Sequence, residues 1–274
     1  MGWVCYNQAY VVCARRGNGE NPQAQHRPFS GQLGQFRVSN CGEYLPTKPK
    51  QENAMKRLGT VVIIAMLLAM VFSISPTQTQ PASALSNGVV ISQVYGGGGN
   101  TGAPYTHDFI ELFNRGTTPV SLAGWSLQYA SATGTGNFGA TTDQITPLPA
   151  IFLAPGQYLL VQEAGGTIGV ALPTPDVTDS TPIMISATGG KVALVNSTSS
   201  LGCNGGSTPC TAAQLALIID LVGWDGANFF ETAPAPATSN TTAILRNNGG
   251  CMETDNNSED FSVATPAPRN TTSL

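Results

Sequence analysis

Residues 108–129, DFIELFNRGTTPVSLAGWSLQY, decide the fold. Within 109–114 the side chains alternate, so that Ile110 and Leu112 share one face while Phe109, Glu111 and Phe113 share the other. A period of two belongs to a strand. The following Asn-Arg-Gly-Thr-Thr-Pro is a turn cluster, in which Gly supplies positive φ and Pro ends pairing. A second β-favouring run, 126–129, comes directly after Gly124 and Trp125. Outward from this block, similar runs recur at 89–95, 158–162, 192–196, 217–222 and 243–245, each bounded by Gly, Pro, Asn or Thr clusters. Short strands at such spacing predict a sandwich or barrel. After Leu85 only 211–220, TAAQLALIID, has helical character, with Thr211 as its cap for one or two turns. The expected fold class is therefore all-β.

Upstream the composition changes. Met55-Lys56-Arg57 precede an apolar run of 17 residues, 58–74, and Ala82-Ser83-Ala84 follow it. A cationic head, an apolar centre and a small-x-small site make a secretory signal with cleavage after Ala84. The same run is just long enough to be retained as a signal anchor, which would place the chain on a membrane. A signal normally begins near the initiator, yet residues 1–54 precede this one. Either Met55 is the true start and 1–54 is upstream translation, or 1–54 is a short basic tail before an anchor. Neither alternative gives 1–54 a fold. The chain thus divides into 1–54, a signal peptide or anchor at 55–84, a β-domain at 85–265 and a Pro/Thr-rich tail at 266–274, read as a linker or frayed end.

From Leu85 onward there are four basic residues (Arg115, Lys191, Arg246, Arg269) and thirteen acidic ones, so four minus thirteen leaves about −9, against −4 for the whole chain. Binding driven by phosphate neutralisation needs clustered Lys and Arg, so nucleic acid is not an expected partner. An exported chain meets an oxidising compartment, where disulfides persist. Cys203 and Cys210 bracket CNGGSTPC and can close locally; Cys251 with one of the two is the other pairing, and one of the three cysteines is left over.

Candidate chemistry is sparse. Glu111 reads as a carboxylate on a half-exposed sheet face, accepting hydrogen bonds or pairing with Arg115 or Arg246, because no second carboxylate or histidine completes a catalytic set. His107 beside Asp108 lacks a nucleophile in a recognisable motif. The run GGGGN, 96–100, has no following helix and no phosphate-loop lysine, so it reads as a mobile loop. Asn196, Asn240, Asn256 and Asn270 match glycosylation tripeptides and are expected in surface loops. Residues 253–260, ETDNNSED, gather hard oxygen groups. They form either an Asn/Asp-rich turn or a structural calcium site with Asp255, Asn257 and Asp260 as its first ligands. The spacing is not that of an EF-hand, since Asp260 stands where Gly would be and Pro266 where the last Glu would be.

Taken together, VVISQVYGGGGN, DFIELFNRGTTPVSLAGWSLQYAS, LAPGQYLLVQ, IIDLVGWDGANFFE and the stretch from TSNTTAILRNNGGC to the C-terminus resemble a bacterial lamin tail domain. The resemblance covers nearly the whole chain after Leu85. It implies an immunoglobulin-like β-sandwich and makes Trp125 a core or inter-sheet aromatic. Bacterial members often accompany an endonuclease/exonuclease/phosphatase-type catalytic domain, which would need several Asp, Asn, Glu and His residues converging from a far larger second domain than these residues leave room for. The expectation is therefore a secreted or cell-surface, non-enzymatic interaction or tethering module. It would need no cofactor except calcium at 255–260, and its partner would be protein or cell-surface material. The alternative is the accessory domain of a truncated extracellular enzyme.

Overall fold

The computed structural model describes residues 88–273; the upstream segment, the signal and its cleavage position Ala84 lie outside the described residues. Strand β1 (Val89–Tyr95) is buried along its whole length. It is followed by β2 (His107–Asn114), β3 (Val120–Ser121), β4 (Ser126–Ser131), β5 (Ile145–Pro147), β6 (Phe152–Leu153), β7 (Tyr158–Gly165), β8 (Val177–Thr178), β9 (Gly190–Val195), β10 (Ile218–Trp224), β11 (Ala243–Arg246) and β12 (Phe261–Ala264). Two single helical turns are α1 (Ala212–Leu215) and α2 (Asn257–Asp260). The strands form a six-stranded sheet in the order β12-β11-β1-β2-β7-β8, a four-stranded sheet β10-β9-β4-β5 and a small β3-β6 ribbon. Pairing is antiparallel except between β7 and β8.

The two larger sheets face each other across one core. Ile91, Ile110, Leu112, Leu159, Val161 and Ile244 come from one side, and Leu127, Tyr129, Val192, Leu194, Val222 and Trp224 from the other. Trp125 is partly buried against this core, as the inter-sheet reading required, while Trp224 is the more deeply buried indole. Thr211 caps α1 through a capping box with Gln214. The expected helix therefore exists but is one turn long, because Ile218 onward is drawn into β10.

A bulge sets which side chains face out. Ile91 pairs with Leu112, but Gln93 pairs with Glu111, so β1 carries an extra residue at Ser92. An extra residue inverts the alternation beyond it. Gln93 and Tyr95 consequently join Phe109, Glu111 and Phe113 on the outer face, while Val94 returns to the core.

The expected loose Gly run is instead closely packed. Gly96 and Gly97 are buried, and the Gly98 amide donates to Asp108 Oδ1 at 2.7 Å. A Cβ on Gly98 would lie 2.1 Å from the carbonyl carbon of His107, and one on Gly97 would lie 2.5 Å from the carbonyl oxygen of Asn240. Glycine is present because backbone meets backbone here. Beyond the outer face of the four-stranded sheet, a second apolar cluster holds Phe138, Val195, Leu201 and Leu221, and the Cys203–Cys210 disulfide closes it. Cys251 is also disulfide-bonded, so the odd thiol expected among the three is not found there.

Gly98→Ala is expected to lower the thermal midpoint by several degrees, since overpacking costs roughly 1–3 kcal/mol. Gly136→Ala, where nothing lies within 4 Å of the added carbon, is the control and should leave the midpoint near wild type.

Candidate functional site

The densest polar feature lies at one end of the core, where inward-facing positions of both sheets are charged. Arg246, at the end of β11, sends Nη2 to both oxygens of Asp220 on β10 at 3.0 and 2.9 Å, and Nη1 to Glu253 at 2.6 Å and Asp260 at 3.4 Å. All four side chains are almost fully buried. The β1–β11 ladder stops at Gln93 and Leu245. Just beyond it, the backbone of Ile91 is satisfied by side chains instead: its N–H donates to Asp220 Oδ2 at 2.6 Å, and its carbonyl accepts from Arg246 Nε at 2.9 Å. Burial alone would push the Arg246 guanidinium down, but the surrounding carboxylates, Asp220 foremost, outweigh it and hold the pKa above its usual value.

Carboxylate oxygens of Asp220, Glu231 and Glu253 lie within 4.8 Å of one another. Such a span suits a hard divalent cation. Here the Arg246 guanidinium stands against two of the three. Burial and neighbouring carboxylates push Glu231 and Glu253 well above the usual carboxylate range.

The three residues expected as calcium ligands lie beside this centre with most of their oxygens engaged. Asn257 accepts from the Gly223 and Glu231 amides and donates to the Leu221 carbonyl and to Glu231, which ties α2 to β10. Asp260 accepts from the Thr254 amide and hydroxyl and from Arg246. Asp255 takes φ +55°, its amide donates to Glu253 Oε1, and its own Oδ1 is buried with no hydrogen-bond partner. The Asx-turn geometry expected for this segment is present, since Asn256 Oδ1 accepts from the Ser258 amide and hydroxyl.

Glu111 has a different partner from either cation expected for it. It is fully buried, and its carboxylate receives Arg269 Nη2 at 2.7 Å, Arg269 Nε at 3.2 Å and the Arg269 amide at 2.7 Å. Burial pushes the Glu111 pKa up, against the pull of Arg269. The guanidinium also stacks 3.7 Å above the Tyr158 ring and donates to its hydroxyl at 2.6 Å. The tail expected to fray is thus fastened to the outer face of the six-stranded sheet. Gln93 receives the Ala267 amide at 2.8 Å and donates to the Ala267 carbonyl at 3.1 Å. Asp176 takes the Thr271 amide and hydroxyl, and Gln157 donates to the Thr271 carbonyl. Asn270 is buried as a turn cap for Thr272 and Ser273, so this asparagine departs from the surface-loop expectation.

His107 and Asp108 do not form a base and its orienter. The Asp108 oxygens accept from the Gly98 and Ile185 amides, and His107 Nδ1 lies 2.9 Å from the Thr106 hydroxyl.

The lamin tail domain family model matches residues 82–251, more than half of the chain. This chain belongs to the lamin tail domain family. Among solved structures it is similar to a DUF4876 family protein from Bacteroides thetaiotaomicron, at 13% identity and a TM-score of 0.43, covering 69% of this chain and 74% of that one. No curated protein matches it. The tail from Thr265 onward, with its guanidinium, lies beyond the residues that the family model matches.

Two further carboxylates of this lamin tail domain, Asp108 and Glu163, are buried and accept hydrogen bonds from uncharged donors. Asp108 is pushed up to about 7 by burial, and Glu163 to about 8 for the same reason. Both hold one segment to the sheet: Glu163 accepts from the Thr146 hydroxyl and the Ile183 amide, and Asp108 from the Ile185 amide. A raised pKa in the folded state means that folding takes up protons. Stability from these groups is full below the unfolded carboxylate value of about 4 and is lost as pH rises toward 7–8. The thermal midpoint is therefore expected to fall between pH 5 and 7.5, below the point near 8 where buried Lys191 titrates. Glu163→Gln keeps an acceptor for Ile183 but cannot ionise, and should flatten the fall; a midpoint that rises over this range would contradict the assignment.

Proposed function

We propose that this lamin tail domain works outside the cell, secreted or held at the surface, as an interaction or tethering module without catalytic activity of its own. The lamin tail domain is a non-enzymatic immunoglobulin-like family. One observation carries the reading: a sheet face of the sandwich grips a stretch of chain outside its strand ladder through side chains, with Gln93, Glu111, Tyr158 and Asp176 contacting Ala267, Arg269 and Thr271 of the tail. A face that holds a peptide in this way has the chemistry of a binding surface. Export is supported by the signal pattern at 55–84 and by the Cys203–Cys210 disulfide, which suits an oxidising compartment. The net charge of about −9 after Leu85 favours protein or cell-surface partners over nucleic acid. Calcium is not required for the reading, because the oxygens of Asn257 and Asp260 are already occupied.

The test is retention of the purified chain on cells and cell-wall fractions of the source organism, run beside phosphodiester and phosphomonoester model substrates. Saturable retention without turnover is expected. Turnover by the purified chain, or no retention on any fraction, would overturn the reading.

A further inference from the structure

We propose that the outer face of the six-stranded sheet is a peptide groove with a guanidinium subsite at Glu111 and Tyr158, that residues 265–273 fill it in cis, and that an arginine-bearing extended peptide of the same pattern fills it in trans. This deepens the interaction-module reading and rests on it.

The geometry is that of recognition. A carboxylate with no exposed surface is a poor partner for water, yet Glu111 is served by three groups of one residue, Arg269, and by the Ser92 hydroxyl at 2.6 Å. A forked contact of guanidinium with carboxylate, closed on one side by an aromatic face, discriminates arginine from lysine by shape as well as charge. Tyr158 supplies that face, and its own ring packs on Phe113 at 4.6 Å between centroids, which fixes its orientation. The other contacts reach backbone groups of the tail, save that the Thr271 hydroxyl also donates to Asp176 and Asn270 Nδ2 to the Thr174 carbonyl. Gln93 bonds both backbone groups of Ala267, as a neighbouring strand would, and Asp176 and Gln157 do the same for Thr271. Ala267, Arg269 and Thr271 are spaced by two, so the groove contacts every second residue of the tail, with arginine at the centre and the turn capped by Asn270 closing the far end.

The tail is held to the face by side chains and not by a strand ladder, and the Arg269 side chain keeps 27% of its surface exposed. A cleft of about 510 Å³ opens beside it, lined by Ala267, Pro268 and Arg269 of the tail together with Leu245 and Asn247. An occupant held this way can be exchanged for another of the same chemistry.

The experiment uses the full chain and a labelled peptide of residues 265–273, TPAPRNTTS. Wild-type protein, its groove filled, should bind the peptide weakly. Arg269→Ala should bind it at least about tenfold more tightly, and adding Glu111→Gln should abolish that gain. A peptide with alanine in place of arginine should bind neither protein. Equal binding of the two peptides, or no gain in Arg269→Ala, would overturn the proposal. A second measurement needs no variant. Millimolar N-acetylarginine amide added to the wild-type chain should speed amide hydrogen exchange at 267, 269 and 271 and leave β9 unchanged, while N-acetyllysine amide should do neither; unaltered exchange would also overturn it. Retention on cell fractions with both peptide results negative would remove the groove alone. Peptide binding without cell retention would remove the surface role alone.

Discussion

A buried arginine is tolerable only when carboxylates surround it, and in this sandwich the requirement joins the two sheets. Arg246 comes from the six-stranded sheet and Asp220 from the four-stranded one, and each also completes the backbone of Ile91 where the ladder with β11 has stopped. Removing one partner of such a pair leaves an uncompensated buried charge and costs about 3–5 kcal/mol, whereas replacing both by apolar groups is often close to neutral. The pair is therefore more important for position than for net stability. It fixes how β10 lies over β1 and β11, and with it the α2 segment, since Asp260 answers to Arg246 and Asn257 ties back to Gly223 on β10.

Much of this fold was legible in local pattern. The alternation in 109–114 located β2 and its two faces, and β1 coincides with the run 89–95. Short strands such as β3, β6 and β8 were not legible, because two residues cannot display a period. The bulge at Ser92 was hidden for a related reason: in a strand buried on both faces, VVISQVY offers little contrast between inward and outward positions. The Gly run misled, since composition reports conformational freedom and not the approach of His107 and Asn240, which removes it.

The site was legible in part. Glu111 stood out as a lone carboxylate among aromatics, but its cation lies 158 positions away in a tail whose Pro and Thr content resembles a linker. The acidic stretch 253–260 was visible, whereas the arginine at its centre was not. Seven residues separate Arg246 from Glu253 and 26 separate it from Asp220, and no local motif encodes that convergence. Oxygen-rich sequence suggests cation binding; in the folded chain much of that demand is met by a guanidinium.

The central claim is that Arg246 and Asp220 act as one unit between the sheets. A double-mutant cycle of Arg246→Met and Asp220→Leu, followed by denaturant unfolding of the full chain, tests it directly. Each single substitution should cost about 3 kcal/mol, and the double should cost about 1–3 kcal/mol less than their sum. Strictly additive losses would mean that the two residues stabilise their own sheets separately, and would contradict the claim.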